Sequence, residues 1–155
     1  MSTAPLSLIV LEDETSHVNA ICRAFEDADP PVDVRVASSL LEYCEMVAAR
    51  PPDIALLDLN LPDGNKMEAL SLLSKSNPFP VLVMTSCGNE AVAVAAMKAG
   101  ALDYLVKSPE VFADMPRTVR RVLGEWNLSE YSRQAGDQDR ANDLLLEAIQ
   151  RERRS

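Results

Sequence analysis

The chain has 155 residues, enough for one domain with a real core plus a tail and too short for a second domain. Acidic residues outnumber basic ones 24 to 15, a formal charge of −9, which argues against a nucleic-acid surface because phosphate binding draws on clustered Lys and Arg. No apolar run is long enough to span a bilayer, and Met1 to Ala4 lack the basic start of a secretory signal, so no membrane association is expected. Cys22, Cys44 and Cys87 are odd in number and sit in apolar patterns, which reads as reduced core thiols in a cytoplasmic protein. The lone His17 and the lack of a Cys-x-x-Cys pair argue against zinc; His17 itself reads as a solvated residue at a helix start.

In chain order, short apolar runs alternate with helical patterns, the signature of βαβ units. Leu6 to Leu11 predicts a first strand that ends in Glu12, Asp13 and Glu14; Thr15 or Ser16 then caps a helix carrying Val18, Ile21, Cys22 and Phe25 inward. Pro30 and Pro31 stop it. Val32, Val34 and Val36 alternate with Asp33 and Arg35, as in a half-exposed edge strand. Ser38 or Ser39 opens a second helix with Leu41, Cys44, Val47 and Ala48 on one side, closed by Pro51 and Pro52. Ile54 to Leu59 reads as a strand buried on both faces, interrupted only by Asp58, and Pro62 and Gly64 make the following loop.

Lys66 to Lys75 predicts a third helix with Met67, Leu70 and Leu73 inward, and Val81 to Met84 a fourth buried strand ending at Thr85 and Ser86. Asn89 is placed to cap the Ala-rich helix Glu90 to Ala99, and Gly100 to close it. Tyr104 to Val106 is a short fifth strand ending at Lys107. Glu110 to Trp126 is a fifth helix that Pro116 either begins or kinks. The Met residues at 46, 67, 84 and 97 read as core filling.

Polar residues thus gather at the carboxyl ends of strands one, three, four and five, where a doubly wound sheet has its functional crevice. Glu12, Asp13 and Asp58 would crowd three carboxylates together, which is unfavourable unless protons or a cation offset them. A hard divalent cation with several waters, Mg²⁺, suits such a set better than a closed calcium cage does. Lys107 and Thr85 add a mobile cation and a hydroxyl, both suited to phosphoryl oxygens. Singly, each has a plainer reading: a turn-capping Asp58, a solvated strand-end Lys107, a capping Thr85 hydroxyl.

Glu12-Asp13, Asp58 with Pro62, Thr85-Ser86, Tyr104 and Lys107, in that order and at those intervals, resemble the receiver domain of bacterial two-component response regulators, from about Leu6 to Trp126. The resemblance implies a flavodoxin-like α/β fold, a doubly wound five-stranded parallel sheet of order 2-1-3-4-5 with five helices, over residues 1–127. It implies that Asp58 accepts a phosphoryl group from a sensor histidine kinase or phosphotransfer protein. Asp13, Asp58 and the backbone carbonyl of Asn60 would bind Mg²⁺, with Glu12 acting through water. Thr85, Lys107 and the Ser86 backbone would hold phosphoryl oxygens, and Thr85 and Tyr104 would switch an output-partner face made of the fourth helix, fifth strand and fifth helix. Such a chain is an acceptor, not a turnover enzyme. The sequence departs from the family at Lys66, where Gly is usual, and at Ser108, which separates Lys107 from Pro109. Asn60 and Cys87 fill the two positions that tune phosphate lifetime in the family.

Two other functions use some of the same residues. A Mg²⁺-dependent aspartyl phosphohydrolase resembles Asp-x-Asp at its nucleophile, whereas this chain has Asp58-Leu59-Asn60. A phosphorylation-independent pseudo-receiver binding module would not need every pocket position to be chemically competent. Nucleotide binding is disfavoured, since the loop after the first strand is acidic rather than glycine-rich. Residues 128–155 form a linker over Ser129 to Gln138 and then an amphipathic helix with Ala141, Leu144, Leu145, Ala148 and Ile149 along one stripe. That stripe would fold back on the domain, pair with a second copy as a homodimer, or begin a signalling helix. With six acids against five arginines from Leu128 on, it is no DNA-binding module.

Overall fold

In a computed structural model, which describes residues 5–60, 73, 77–86 and 90–154, five strands form one parallel sheet: β1 (Leu6–Leu11), β2 (Val32–Ala37), β3 (Ile54–Asp58), β4 (Val81–Thr85) and β5 (Asp103–Val106). Their order is β2-β1-β3-β4-β5. The central β3 and β4 are buried at every position and β2 is half-exposed at the edge, which is why the first two read as continuous apolar runs and the last as an alternation. Ile9, Leu11, Leu57 and Val83 carry the core on one face of the sheet. From β1 the chain steps to β2 on one side and then to β3 on the other, so the carboxyl ends of β1 and β3 flank the reversal of strand order where such sheets bind ligands.

The helices are α1 (Thr15–Phe25), α2 (Leu40–Ala49), α3 (Glu90–Ala99), α4 (Pro109–Ala113) and α5 (Met115–Arg154). The expected helix Lys66 to Lys75, and with it Pro62, Gly64, Lys66, Met67, Leu70, Cys87 and Asn89, falls outside the described residues apart from the buried Leu73. Ser39 caps α2, its Oγ accepting from Glu42 N–H at 3.1 Å. At α1, however, the N-cap is Glu14, without a side-chain cap bond, rather than Thr15 or Ser16. Gly100 ends α3 with φ 131°, a region open to glycine because it has no Cβ.

Further details differ from the sequence reading. α2 is turned by one residue, so Tyr43 is buried with Leu40, Met46 and Val47 against the core, while Leu41 and Cys44 face outward. Cys44 is therefore no core thiol, and Met97, unlike the fully buried Met84, is exposed. The span Glu110 to Trp126 is two helices rather than one, separated at Asp114 (φ −88°, ψ 2°), and Pro116 begins the main one, the first of the two alternatives expected for it, lying in the first turn where its missing N–H costs nothing. Finally, Ser129 to Gln138 is helical rather than a linker. One glycine, Gly136, costs about 1 kcal/mol in a helix and does not end one that has no proline beyond Pro116.

By compactness the chain divides into Met1–Val122 and Leu123–Ser155. In the first unit Met115, Val119 and Val122 bury the start of α5. In the second, Leu128, Tyr131, Leu144, Leu145, Leu146 and Ile149 are exposed. No helix among the described residues is long and apolar enough to cross a membrane.

Candidate functional site

β1 delivers Glu12 and β3 delivers Asp58 to the same crevice, and both are only 1% exposed. Two carboxylates that deep need compensation, and Lys107, directly after β5, supplies it. Its Nζ lies 2.8 Å from Asp58 Oδ2 and 2.8 Å from Glu12 Oε2. The other Asp58 oxygen, Oδ1, accepts from the backbone N–H of Asn60 at 2.9 Å, and Glu12 Oε1 accepts from Glu14 N–H at 3.1 Å. Burial, aided by the facing Asp58 charge, pushes the Glu12 carboxyl above its usual range against the pull of Lys107. Burial also disfavours the Lys107 ammonium, but its hydrogen bond to Asp58 and its ion pair with Glu12 outweigh that and hold its pKa above the ordinary lysine value.

Asp13 is exposed beside them, and Glu12, Asp13 and Asp58 each bring a carboxylate oxygen within 4.8 Å of the others. Three hard oxygen donors at one open edge, with the Asn60 carbonyl next along the chain from β3, fit Mg²⁺. Thr85 is buried at the end of β4, one residue beyond the Met84 that pairs with Asp58, and its carbonyl accepts from Lys107 N–H at 2.9 Å. Ser86 is exposed, and its Oγ accepts from Asn60 Nδ2 at 2.7 Å. Tyr104 stands on the outermost strand, 42% exposed, paired in register with Val83. Every residue expected at the carboxyl end of the sheet is therefore found there, with Tyr104 set back along β5.

His17 was expected to be solvated and is not. Its Nδ1 is 3.3 Å from Lys107 Nζ, 3.2 Å from Glu14 Oε2 and 3.5 Å from Glu12 Oε1, and its ring lies 5.1 Å from that of the buried Phe112. His17, Lys107 and Phe112, with Ser16, Ala20, Ser108 and Pro109, line a cavity of about 320 Å³. The signal available in the sequence was positional: the first turn of α1 follows the acidic strand end directly, so a residue there stands over the crevice. Which way His17 points depends on α4 packing against α1, a contact between segments 90 residues apart.

The profile of the response regulator receiver domain matches residues 8–115. The chain belongs to that family. It is a receiver domain of the response regulators of two-component systems, with the strand order and helical cover seen above. Among relatives, the acid tolerance regulatory protein ActR of Rhizobium meliloti is 35% identical over 102 residues, which is 65% of this chain and 52% of ActR. The photosynthetic apparatus regulatory protein RegA of Cereibacter sphaeroides is 35% identical over 105 residues, 67% of this chain and 56% of RegA. The chain thus spans about half the length of these regulators. Among solved structures, a CheY-like receiver domain protein of Methanospirillum hungatei superposes with a TM-score of 0.68 at 21% identity, covering 81% of this chain and 99% of the other. NtrX of Brucella abortus gives 0.71 at 23% identity over 83% of this chain and 29% of NtrX.

Proposed function

We propose that this receiver, in the cytoplasm, takes a phosphoryl group onto Asp58 from the phosphohistidine of a sensor histidine kinase or phosphotransfer protein, with Mg²⁺ bound, and so switches an output-partner face. The observation that carries this reading is the Asp58 carboxylate itself: buried, ionically paired with Lys107 at 2.8 Å, oriented by Asn60 N–H at 2.9 Å, and beside the acids that fit a cation. The carboxylate oxygen attacks phosphorus, the phosphorus–nitrogen bond breaks, and the imidazole leaves with that electron pair and takes up a proton. Asp13, Asp58 and the Asn60 carbonyl would hold Mg²⁺, with Glu12 acting through water. When bound, the ion supplies positive charge to the phosphoryl oxygens. The Lys107 ammonium turns from Asp58 to one phosphoryl oxygen, while the Thr85 hydroxyl and Ser86 N–H donate to others. The product is an acyl phosphate on the protein, so the chain is consumed and regenerated rather than turning over an external substrate.

The phosphoryl group adds about two negative charges and three strong acceptors beside Thr85. Drawing that hydroxyl inward frees room on the β5 side, and the half-exposed Tyr104 rotates toward it, altering the face made by α3, β5 and the helix that follows. Such a switch requires two arrangements only a few kcal/mol apart. Intact-mass measurement after incubation with a small-molecule phosphodonor and Mg²⁺ tests the first step: one phosphoryl adduct on the wild type and none on Asp58→Asn. A wild type that stays unmodified would favour the pseudo-receiver instead. Thr85→Ala should keep the adduct but lose the NMR shifts at Tyr104 that beryllofluoride induces in the wild type.

A further inference from the structure

Along α5, Leu128, Tyr131, Ala135, Asn142, Leu145 and Ile149 fall on one alternating three-and-four spacing, with Gln138 in the remaining place. This is a heptad seam, with Leu128, Ala135, Asn142 and Ile149 at its a positions and Tyr131, Gln138 and Leu145 at d. It differs from the broader stripe Ala141-Leu144-Leu145-Ala148-Ile149 in reaching from Leu128 to Ile149, between Gly124 and Glu152 at the flanking d positions. Its large apolar members are uncovered: Leu128 is 71% exposed, Tyr131 73%, Leu145 61% and Ile149 41%.

From this pattern we infer that the Leu123–Ser155 unit pairs with the same segment of a second copy as a parallel, in-register, two-stranded coiled coil. Three observations select that occupant. The seam ends with Asn142 at a, Leu145 at d and Ile149 at a, and a β-branched a residue with Leu at d favours two strands. An a-position Asn meets its own counterpart only in the parallel in-register pair, where its amide pairs with an identical amide. The flanks are compatible with self-pairing: among the described g and e side chains, Asn127 would face Ser132 and Ala148 would face Arg153, neither a pair of like charges, while Glu130, Arg133, Arg140, Asp143, Glu147 and Arg151 fall on the outer b, c and f positions. Leu146 widens the seam at e. The exposed Leu128, Tyr131, Leu145, Leu146 and Ile149 carry on the order of 500 Å² of apolar surface per helix, so two copies reach the ~1,000 Å² expected of a specific interface.

Sedimentation equilibrium of the full chain over a range of concentrations tests this pairing without phosphodonor or Mg²⁺. A monomer–dimer equilibrium is expected, weakened at least ~100-fold by Leu145→Asp, which would bury a charge in the seam of both strands. Glu147→Gln, at an outer position, should leave it unchanged. Asn142→Ile should tighten association at least ~10-fold and admit larger oligomers, because the register-setting amide is gone. Orientation is read by Ile149→Cys in a chain with Cys22, Cys44 and Cys87 changed to Ser: parallel pairing gives a disulfide-linked dimer on mild oxidation. A wild type that is monomeric throughout, a dimer indifferent to Leu145→Asp, or a dimer that Ile149→Cys cannot cross-link would each overturn the inference.

Discussion

Glu12 and Asp13 are adjacent in sequence and opposite in environment. The Glu12 side chain is enclosed, one oxygen receiving Glu14 N–H at 3.1 Å and the other facing Lys107 Nζ at 2.8 Å, whereas Asp13 is exposed at the open side of the carboxylate cluster. A carboxylate already engaged on both oxygens acts on a cation at one remove, and an open one can bind it directly. Asp13→Ala should therefore weaken Mg²⁺ binding at least ~10-fold more than Glu12→Ala does, on the 10- to 100-fold scale of losing support around a metal. Calorimetric titration of the two variants checks this, and equal losses would reverse the direct and indirect roles. At this scale Asp58, Thr85 and Lys107 were legible because each is a polar residue ending an apolar run, which needs only the period of a strand to be seen. His17 was not, because nothing local distinguishes a solvated histidine from one turned toward Lys107.

The segment after β5 shows how one residue can change the logic of a loop. Ser108 has extended backbone angles (φ −162°, ψ 160°) and its Oγ accepts from Val111 N–H at 3.1 Å, so it serves as the N-cap of α4 with Pro109 in the first helical position. The cap fixes the short helix that buries Phe112 beside His17, directly after the lysine that pairs with Asp58. Losing the cap bond should lower stability by about 1 kcal/mol in Ser108→Ala, while Ser108→Asp should retain most of it. Urea unfolding of the two variants reads this directly, and an unchanged midpoint for Ser108→Ala would show that the cap is idle. Element ends of this kind were partly legible. Ser39 and Gly100 announce themselves by residue type, but α2 turned by one residue because Tyr43, larger than Cys44, takes the inward place.

For the whole molecule, the sheet was the most readable feature and the continuation of α5 through Ser129 to Gln138 the least. Buried parallel strands must be apolar throughout, so β3 and β4 stand out in any reading. A surface helix needs no such pattern: the polar stretch Ser129 to Gln138 resembles a linker in composition, yet nothing in it stops the helix that Pro116 starts. The functional consequence lies in where α5 ceases to belong to the first core. Met115, Val119 and Val122 are essentially unexposed, and each such side chain contributes about 1.5–3 kcal/mol on burial, so together they rival the ~5–15 kcal/mol that holds a whole domain together. Beyond Val122 the compact first unit has ended, and Leu128 is already open to solvent. A chain stopped after Leu128 should therefore fold cooperatively, within about 1 kcal/mol of the full chain, and still take up one phosphoryl group, whereas a chain stopped after Asp114 should fail to fold. Denaturant unfolding followed by circular dichroism, with intact mass after phosphodonor treatment, separates the cases: if the longer form unfolds or stays unmodified, the helical tail is integral to the receiver, and if the shorter form folds, the start of α5 is dispensable to its core.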